Sequence, residues 1–400
     1  MKNLSINKIK PILFYFIFLF FIFFASCKGE EPTIQPPQND TLTIVDKNST
    51  TETKALYAQL WQLQKRGFMF GHHDDLWYGR KWFNELGRSD TKDVCGDYPA
   101  VFSVDLAEVM DDRYLNNLNN DIKKRCIIEA GNRGEVILAC CHLNNPLTNG
   151  DAWDNSNINT VKEVLNEGSV TNLRFKSWLD RLADFAVSLK TQNGKLIPII
   201  FRPFHEHNKS WSWWGTQTTS KGEFIVLWKF TVNYLRDVKK VHQFIYAISP
   251  QLDAVQTRQD YLYAYPGDDY VDFLGMDCYH GLNTTAFMTN LRNLEILSQE
   301  KSKPCGVTET GVEGIKYSDG TPIINFWTNN ILTPLKERKI SMVVMWRNKY
   351  DPNESGMHFF SVFQGHASAP DFVEMYNANQ SLFSKDLPDM YKLPENVVVN

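Results

Sequence analysis

Eight short apolar segments recur along the chain, and each ends in polar or aromatic residues. They occupy residues 67–73, 98–106, 135–143, 195–206, 242–251, 271–280, 303–310 and 340–348. Amphipathic segments separate them; in residues 172–189, for example, Phe175, Trp178, Leu179 and Leu182 follow helical spacing. Strands that are apolar throughout are buried on both faces, as in parallel α/β sheets. Eight such strands alternating with helices predict a single (β/α)8 barrel.

A doubly wound open sheet is the alternative arrangement of these elements. No GxGxxG turn follows an early strand, so the nucleotide-binding form of that fold lacks its signature. A barrel makes a sharper prediction, because active sites lie at the carboxyl ends of barrel strands. Those ends carry polar or aromatic residues on all eight strands: His72 to Asp75, Asp105, His142, His205 and Glu206, Gln251, Asp277, Tyr279 and His280, Glu309, and Trp346 and Arg347.

The first residues are predicted to be an export signal and not part of the fold. Lysines at positions 2, 8 and 10 precede an apolar run over residues 12–25, followed by Ser26 and Cys27. The run is short for a membrane span. It predicts a signal peptide over residues 1–26, a lipid on the Cys27 sulfur and a Pro-rich tether over 27–48; an uncleaved anchor is the alternative. We expect the catalytic domain at 49–385 and a tail at 386–400.

Composition narrows the choice of partner. The formal net charge of −4 gives nucleic-acid binding no electrostatic support. The 11 tryptophans suit a carbohydrate, since sugar rings stack on aromatic faces. The cysteines show no CxxC spacing, so the sequence does not support a zinc site, and no disulfide pairing can be deduced. We expect a monomer.

The fourth strand segment leads into the polar stretch RPFHEHNKSWSWWG, which places Arg202, His205 and Glu206 together. Glu309 ends the seventh segment. Opposed carboxylates at a barrel mouth suit glycoside hydrolysis, in which one protonates the leaving oxygen and the other attacks or activates water. A separation of about 5 Å would imply a covalent intermediate and retained configuration. A structural ion pair is the simpler interpretation of either glutamate alone.

The surroundings suggest different roles for the two glutamates. Glu206 is flanked by aromatic residues, which would raise its pKa and suit the acid. A nearby cation would keep Glu309 ionised, and Arg202 is the candidate, with Asp277 as a second supporting residue. A metal cluster of His72 to Asp75 with His142, His205 and His280 is possible from composition. Adjacent His72 and His73 point to opposite faces of a strand, so we expect no catalytic metal. His142 and His205 are expected to bind sugar hydroxyls or orient the carboxylates.

Several aromatic residues are candidates for sugar contacts. Trp211 is the nearest tryptophan to Glu206 in sequence and the expected platform, whereas Trp213 and Trp214 are expected to pack in the core. Trp346 offers an aromatic face, and the guanidinium of the neighbouring Arg347 offers several hydrogen-bond donors. Trp153 lies in a long loop that could form one cleft wall, and Tyr279 could hydrogen-bond the nucleophile.

The RPFHEHNKSWSWWG stretch, together with VTETG downstream, resembles glycoside hydrolase family 26, the β-mannanase family of clan A. The resemblance runs from near residue 52 to near 382 and implies a (β/α)8 barrel with Glu206 as acid/base and Glu309 as nucleophile. It also implies sugar contacts by His142, His205, Trp211, Tyr279 and a distal Trp346–Arg347 pair, with Trp153 a looser match. Lys209 and Ser212 depart from the family pattern, which bears on the leaving-group side of the cleft.

The sequence therefore predicts a retaining endo-β-1,4-mannanase without cofactor, acting on mannan, galactomannan or glucomannan. It would be lipid-anchored in a bacterial cell envelope. An exo-acting enzyme that releases mannobiose is the first alternative. A related xylanase or mixed-linkage glucanase, and a non-catalytic glycan-binding lipoprotein, are the others.

Overall fold

The computed structural model describes residues 40–115 and 117–400. Its central feature is a closed barrel of eight parallel strands, in which each strand pairs with the next along the chain and the last pairs with the first. The barrel strands are β2 (Phe68–His73), β3 (Val101–Asp105), β4 (Val136–Cys140), β5 (Ile199–Arg202), β6 (Phe244–Ile248), β7 (Phe273–Cys278), β8 (Cys305–Thr310) and β9 (Met342–Met345). These lie within the eight apolar segments, so the predicted (β/α)8 barrel is confirmed.

Helices and shorter elements fill the connections. The α-helices are α1 (Thr51–Leu63), α2 (Asp90–Cys95), α3 (Ala107–Met110), α4 (Leu118–Arg133), α5 (Thr160–Leu165), α6 (Val170–Ser188), α7 (Lys221–Asn233), α8 (Arg258–Tyr261), α9 (Thr284–Lys301), α10 (Thr333–Leu335) and α11 (Ala369–Tyr376). Helix α6 covers all but the last residue of the segment 172–189, whose apolar residues follow helical spacing. Two π-helical turns, Tyr234–Val238 and Trp327–Leu332, extend α7 and precede α10. Single 3-10 turns are Asp112–Tyr114, Asp268–Tyr270, Glu313–Ile315 and Ser384–Asp386.

Each barrel strand is buried on both faces, which explains its continuous apolar sequence. Alternate residues belong to different packing groups: Met69 and Ile200 pack in the barrel interior, whereas Phe70 and Ile199 pack in the layer between strands and helices. Side chains of α1, including Trp61, pack against these interior residues. Toward the carboxyl ends of the strands, polar side chains replace the apolar ones in the barrel interior.

The predicted tether and tail boundaries are wrong in part. Strand β1 (Asp40–Leu42) pairs in parallel with β11 (Val397–Val399), so the two ends of the described chain join in a small sheet. The pairing buries Leu42 and Val397, and Val45 N donates to Asp272 Oδ1 at 2.7 Å. Residues 40–48 and 386–400 are therefore part of the folded domain. The remaining strand, β10 (Ser381–Leu382), pairs with the start of β2.

The predicted signal peptide, Cys27 and the first part of the tether lie outside the described residues. Within the described chain, no helix combines the length and apolar character needed to cross a membrane. The six cysteines of this part are all free thiols: Cys95, Cys126, Cys140, Cys141, Cys278 and Cys305.

Candidate active site

Glu309 reaches the barrel mouth through an irregularity in β8. Met276 of β7 pairs with Val307, but the next residue, Asp277, pairs with Glu309, so Thr308 is an extra residue in β8. Bulges of this kind redirect the side chains that follow them. Thr308 Oγ1 donates to Asp277 Oδ1 at 2.8 Å, and Arg202, which also binds Asp277, donates to Glu309. Thr308 and Glu309 therefore both reach the same buried polar residues, whereas neighbouring residues of a regular strand would face opposite sides.

Both carboxylate oxygens of Glu309 accept strong hydrogen bonds. Arg202 Nη2 donates to Oε2 at 2.7 Å, and the Tyr279 hydroxyl donates to Oε1 at 2.7 Å. Glu309 is 5% exposed. A charged donor and a phenol directed at one carboxylate fix its orientation. The structure thus places Arg202 and Tyr279 where the sequence predicted them, beside Glu309.

Arg202 is itself fixed by a buried polar group below Glu309. Its Nη1 donates to Asp277 Oδ2 at 2.5 Å, and Ser249 Oγ donates to Asp277 Oδ1 at 2.6 Å. Burial alone would lower the pKa of Arg202, but the charges of Asp277 and Glu309 raise it above its ordinary value. Burial raises the pKa of Asp277, and the guanidinium opposes that rise. The guanidinium therefore lies between two carboxylates, and only one of them faces the mouth.

Glu206 has a very different setting. It follows β5 in a tight turn where Phe204 and Glu206 both have left-handed backbone angles, with φ of 51° and 55°. Glu206 N donates to Ser249 O at 2.8 Å, which anchors this turn to the end of β6. Such conformations cost about 1–3 kcal/mol in non-glycine residues and concentrate at functional sites. The turn directs the Glu206 side chain toward the mouth.

The Glu206 carboxyl has one hydrogen-bond donor among the described residues, Trp211 Nε1 at 2.8 Å from Oε2. Burial raises the pKa of Glu206 well above its ordinary value, and the negative charge of Glu309 adds to the rise. Arg202 opposes the rise less strongly. Glu206 is therefore suited to carry a proton, whereas Glu309 has a guanidinium and a phenol directed at its oxygens. Two carboxyl groups in such unequal settings suit the acid and the nucleophile of glycoside hydrolysis.

A chain of hydrogen bonds joins β3, β4 and the Glu206 turn. His142 Nδ1 donates to Asp105 Oδ2 at 2.7 Å, and His142 Nε2 lies 3.1 Å from His205 Nε2. Burial would lower the pKa of His142, but the bond to Asp105 raises it. Burial lowers the pKa of His205, and the charges of Arg202 and His142 lower it further. A protonated His142 that donates to a neutral His205 agrees with both shifts, the raised pKa of His142 and the lowered pKa of His205.

The histidines do not assemble into the metal cluster that was considered as an alternative. His72 contacts Asp75 at 2.8 Å in the core, and the His280 ring stacks on Phe287 with centroids 4.0 Å apart. Asp105, Cys140 and His142 do lie within 4.8 Å of one another. Burial and the charge of Asp105 raise the pKa of the Cys140 thiol well above its ordinary value, and His142 Nδ1 already donates to Asp105 Oδ2 within this group.

The three tryptophans after Glu206 divide as predicted between cleft and core. Trp213 Nε1 donates to Leu143 O and Trp214 Nε1 to His205 O, each at 2.8 Å, and both rings are buried. Trp211 is partly exposed beside Glu206. Lys209 Nζ lies 5.7 Å from the Trp211 ring centroid and 3.7 Å from Asp253 Oδ2. Lys209, a departure from the family pattern, therefore lies between the Trp211 ring and an acidic partner.

Gly215 closes the stretch because the turn leaves no room for a side chain. A Cβ at this position would lie 2.3 Å from Lys209 O, and Thr216 N donates to the same oxygen at 2.7 Å. The side chain of Ser212, the second departure, is buried within the same turn.

Three further predicted residues, Trp153, Trp346 and Arg347, lie near His142. The centroid of the His142 ring is 5.5 Å from that of Trp153 and 5.8 Å from that of Trp346. Trp153 is 57% exposed, so its face is available to a ligand. Trp346 packs on His73 at 4.3 Å, and Arg347 Nη1 donates to the Tyr78 hydroxyl at 3.3 Å. The loop that carries Trp153 packs on the stretch that carries Trp211, since Asn155 Nδ2 donates to Ser210 O at 2.9 Å and Trp213 N donates to Ala152 O at 3.2 Å.

Sequence reasoning gave no role to Asp105, Ser249 or Thr308. Asp105 and Ser249 were visible as polar residues at the ends of apolar segments, which is the signal that could have identified them. Thr308 gave no signal, because its position depends on the bulge in β8.

Known proteins resemble this chain over most of its length. A mannan endo-1,4-β-mannosidase from Bifidobacterium adolescentis is 31% identical over 383 residues, which is 90% of this chain and 37% of that relative. The chain thus spans well under half of that curated relative. A family 26 β-mannanase from Bacteroides ovatus is 38% identical, with a TM-score of 0.80 over 87% of this chain and 99% of the solved one.

A second solved structure agrees. The catalytic domain of an endo-β-1,4-mannanase from Bacillus sp. JAMB-750 is 30% identical, with a TM-score of 0.82 over 92% of this chain and 100% of the solved one. The model of glycosyl hydrolase family 26 matches residues 45–315, which include both glutamates and seven of the eight barrel strands. The family assignment made from the sequence is confirmed: this chain belongs to glycosyl hydrolase family 26.

Proposed function

We propose that this protein is a retaining endo-β-1,4-mannanase that cleaves mannan, galactomannan or glucomannan. The observation that carries the proposal is the unequal setting of two carboxyl groups at one barrel mouth. Glu309 accepts from a guanidinium and a phenol, whereas burial and the Glu309 charge raise the pKa of Glu206. The choice of mannan is supported by the names of the relatives from Bifidobacterium adolescentis and Bacteroides ovatus.

The proposed reaction has two displacement steps. In the first, Glu309 attacks the anomeric carbon and Glu206 gives its proton to the leaving glycosidic oxygen. A glycosyl ester forms on Glu309 and the shortened chain departs. In the second, Glu206 takes a proton from water, the oxygen attacks the same carbon, and the ester bond to Glu309 breaks. Two inversions leave the β configuration of the substrate unchanged.

The other residues of the mouth hold the sugar and the carboxylates. In this proposal Trp211 supports the ring on the leaving-group side, and Trp153 and Trp346 provide further aromatic faces. His142, His205 and Tyr279 direct donors toward sugar hydroxyls, with Tyr279 also fixing Glu309. Arg347 binds a more distant unit, and Arg202 and Asp277 keep the nucleophile in place.

Product analysis on purified substrates tests the assignment. The protein is expected to release a mixed ladder of oligosaccharides from linear mannan, with initial products of β configuration by NMR, and to leave xylan and mixed-linkage glucan largely intact. Mannobiose as the sole early product would favour the exo-acting alternative. Binding to mannan without turnover would contradict the enzymatic proposal and favour a glycan-binding protein.

We also propose that the protein is exported, carries lipid on Cys27 and acts as a monomer in a bacterial cell envelope. The basic start, the apolar run over residues 12–25 and Cys27 support the anchor. Labelling with a fatty-acid analogue should mark the natural protein and not the Cys27→Ala variant. Equal labelling of both would contradict the anchor, and a dimer by light scattering would contradict the monomer.

A further inference from the structure

The loop after β9, residues 346–363, turns back toward the end of β8. Lys349 N donates to His358 O at 2.9 Å, so the outgoing and returning sides of this loop lie next to each other. On the returning side, Phe359 O accepts from Gly314 N at 2.7 Å, which joins the loop to the segment after β8. The next residue, Phe360, is partly buried at this junction.

Phe360 packs against the residues that follow β7 and β8. The centroid of its ring lies 6.0 Å from that of Tyr279, and the two planes make an angle of 74°. Edge-to-face contact of this kind is a preferred arrangement of two aromatic rings. A Cβ at Gly311 would lie 2.9 Å from Phe360 Cβ. Phe360 therefore occupies the space that a side chain would need at Gly311, two residues after Glu309.

Tyr279 is the residue through which Phe360 reaches the nucleophile. The Tyr279 hydroxyl donates to Glu309 Oε1 at 2.7 Å. Burial and the charge of Glu309 raise the pKa of Tyr279 well above its ordinary value, so the phenol keeps the proton that it donates. Among the described residues, Phe360 is the one aromatic side chain that packs on the Tyr279 ring. The direction of the hydroxyl therefore depends on the position of the Phe360 ring.

Asn348 fixes the backbone that carries Phe360. Asn348 Oδ1 accepts from Phe360 N at 3.1 Å and from Ser361 N at 2.9 Å. Asn348 Nδ2 donates to Asp90 Oδ2 at 2.9 Å, and Asp90 begins helix α2. Both Asn348 and Asp90 are buried, so water does not compete for these bonds. A buried amide whose donor and acceptor groups are both used specifies one arrangement of the loop.

We propose that Phe360 is a positioning residue for the nucleophile. The Phe360 ring holds the ring of Tyr279, and the Tyr279 hydroxyl holds one oxygen of Glu309 in line for attack. Phe360 acts through Tyr279 and not through a contact with the sugar. This inference rests on the proposed function, because it assigns a role in the attack by Glu309. A small displacement of a reacting group lowers the rate of the chemical step more than it lowers binding.

Trapping of the covalent intermediate measures the attack by itself. The probe is the β-fluoride of a mannobiose whose reducing unit carries fluorine in place of the 2-hydroxyl. A Glu309 oxygen forms a bond to the anomeric carbon, and fluoride leaves with the electron pair of the C–F bond, so the step needs no proton from Glu206. The 2-fluoro group slows hydrolysis of the ester, and mass spectrometry of the peptides identifies Glu309 as its site.

The inactivation kinetics separate attack from binding. Phe360→Ala should lower the rate constant at saturating probe about tenfold and change the half-saturating concentration less than about twofold. Tyr279→Phe keeps the ring but removes the hydroxyl. When Phe360→Ala is added to Tyr279→Phe, the rate constant should fall less than about twofold further, because the hydrogen bond that Phe360 directs is already absent.

Phe359→Ala is the matched control, since it removes the same side chain from the neighbouring residue. The Phe359 ring is buried and packs on Phe363 and His366, with centroids 5.1 and 5.4 Å away. Its loss should lower the melting temperature at least as much as Phe360→Ala does, yet keep the rate constant within about twofold of the natural protein. Phe360→Leu, which retains more of the packing, should show the same dependence on the Tyr279 hydroxyl as Phe360→Ala.

Two results would overturn the inference while leaving the proposed function in place. One is a rate constant that Phe360→Ala does not change. The other is an equal loss from Phe360→Ala with and without the Tyr279 hydroxyl, which would show that the ring does not act through Tyr279. If the probe forms no ester on Glu309 of the natural protein, the proposed function itself fails, and the inference with it.

Discussion

Glu206 and Glu309 lie at the same barrel mouth, but the backbone and the neighbours of each are opposite in kind. Glu309 belongs to a strand, and a guanidinium and a phenol donate to its oxygens at 2.7 Å. Glu206 belongs to a turn with left-handed angles, and an indole is its one donor among the described residues. The comparison shows how one fold makes two roles from one residue type. Glu309 has a fixed positive charge beside it, whereas Glu206 is buried beside a negative charge, and this difference distinguishes their roles.

The loss of Glu309 should have the largest effect on activity. Glu309→Ala removes the nucleophile, so kcat/KM on mannan should fall at least about 10⁴-fold. Arg202 keeps Asp277 as its partner in this variant, so the fold should survive, which circular dichroism and thermal melting would check. Activity within tenfold of the natural protein would show that Glu309 is not the nucleophile.

The role of Glu206 as the acid can be tested with substrates whose leaving groups differ in their need for a proton. Glu206→Gln removes the acid but keeps the side-chain shape, so turnover of mannan should fall about 10²–10⁴-fold. A dinitrophenyl mannoside needs no proton to lose its phenolate, so its first step should be nearly unaffected. Glu309→Gln, the matched control, should lose activity on both substrates. An equal loss on both substrates in Glu206→Gln would contradict the role of acid.

Arg202 is the residue that makes the two settings different, and its removal should also weaken the fold. Arg202→Leu leaves Asp277 and Glu309 buried without their cation, which should lower the free energy of unfolding by about 3–5 kcal/mol. Urea denaturation measures this. Arg258→Leu breaks the exposed Arg258–Glu300 pair and should cost less than about 1 kcal/mol. Equal stability of the two variants would show that the buried charges do not depend on Arg202.

The smallest expected effect concerns the hydrogen bond from Trp211. Burial raises the pKa of Glu206 and the Glu309 charge adds to it, while the Trp211 N–H lowers it by stabilising the charged form. Trp211→Phe keeps an aromatic face but removes that donor, so the pKa of Glu206 should rise further. Because activity is lost as Glu206 deprotonates, the basic side of the kcat/KM profile should move to higher pH, by less than about one unit. A shift to lower pH would contradict this electrostatic account.

The sequence predicted the barrel and both glutamates because these features are repetitive or local. Eight apolar segments define the strands, and each glutamate lies at the carboxyl end of one of them: Glu206 in 195–206 and Glu309 in 303–310. The packing of Trp213 and Trp214 was also predicted from the sequence alone, since three neighbouring tryptophans cannot all face a ligand.

Features that depend on distant pairing were not predictable in the same way. The extra residue Thr308 is recognisable only once β7 and β8 are aligned. The Asp105–His142–His205 chain joins three separate strand ends, and β1 pairs with β11 from opposite ends of the chain. The left-handed angle of Glu206 had no glycine to signal it. In each case the conformation is set by contacts far away in sequence.

One measurement tests the central claim, that Glu309 attacks and Glu206 transfers the proton. Glu309→Ala and Glu206→Ala would each react with an activated aryl β-mannoside in the presence of azide, and NMR would identify the product. In Glu309→Ala, azide should attack directly and give the α-mannosyl azide. In Glu206→Ala, Glu309 should form the ester first and azide should then give the β-mannosyl azide. The reverse pair of products would contradict the assignment of both residues.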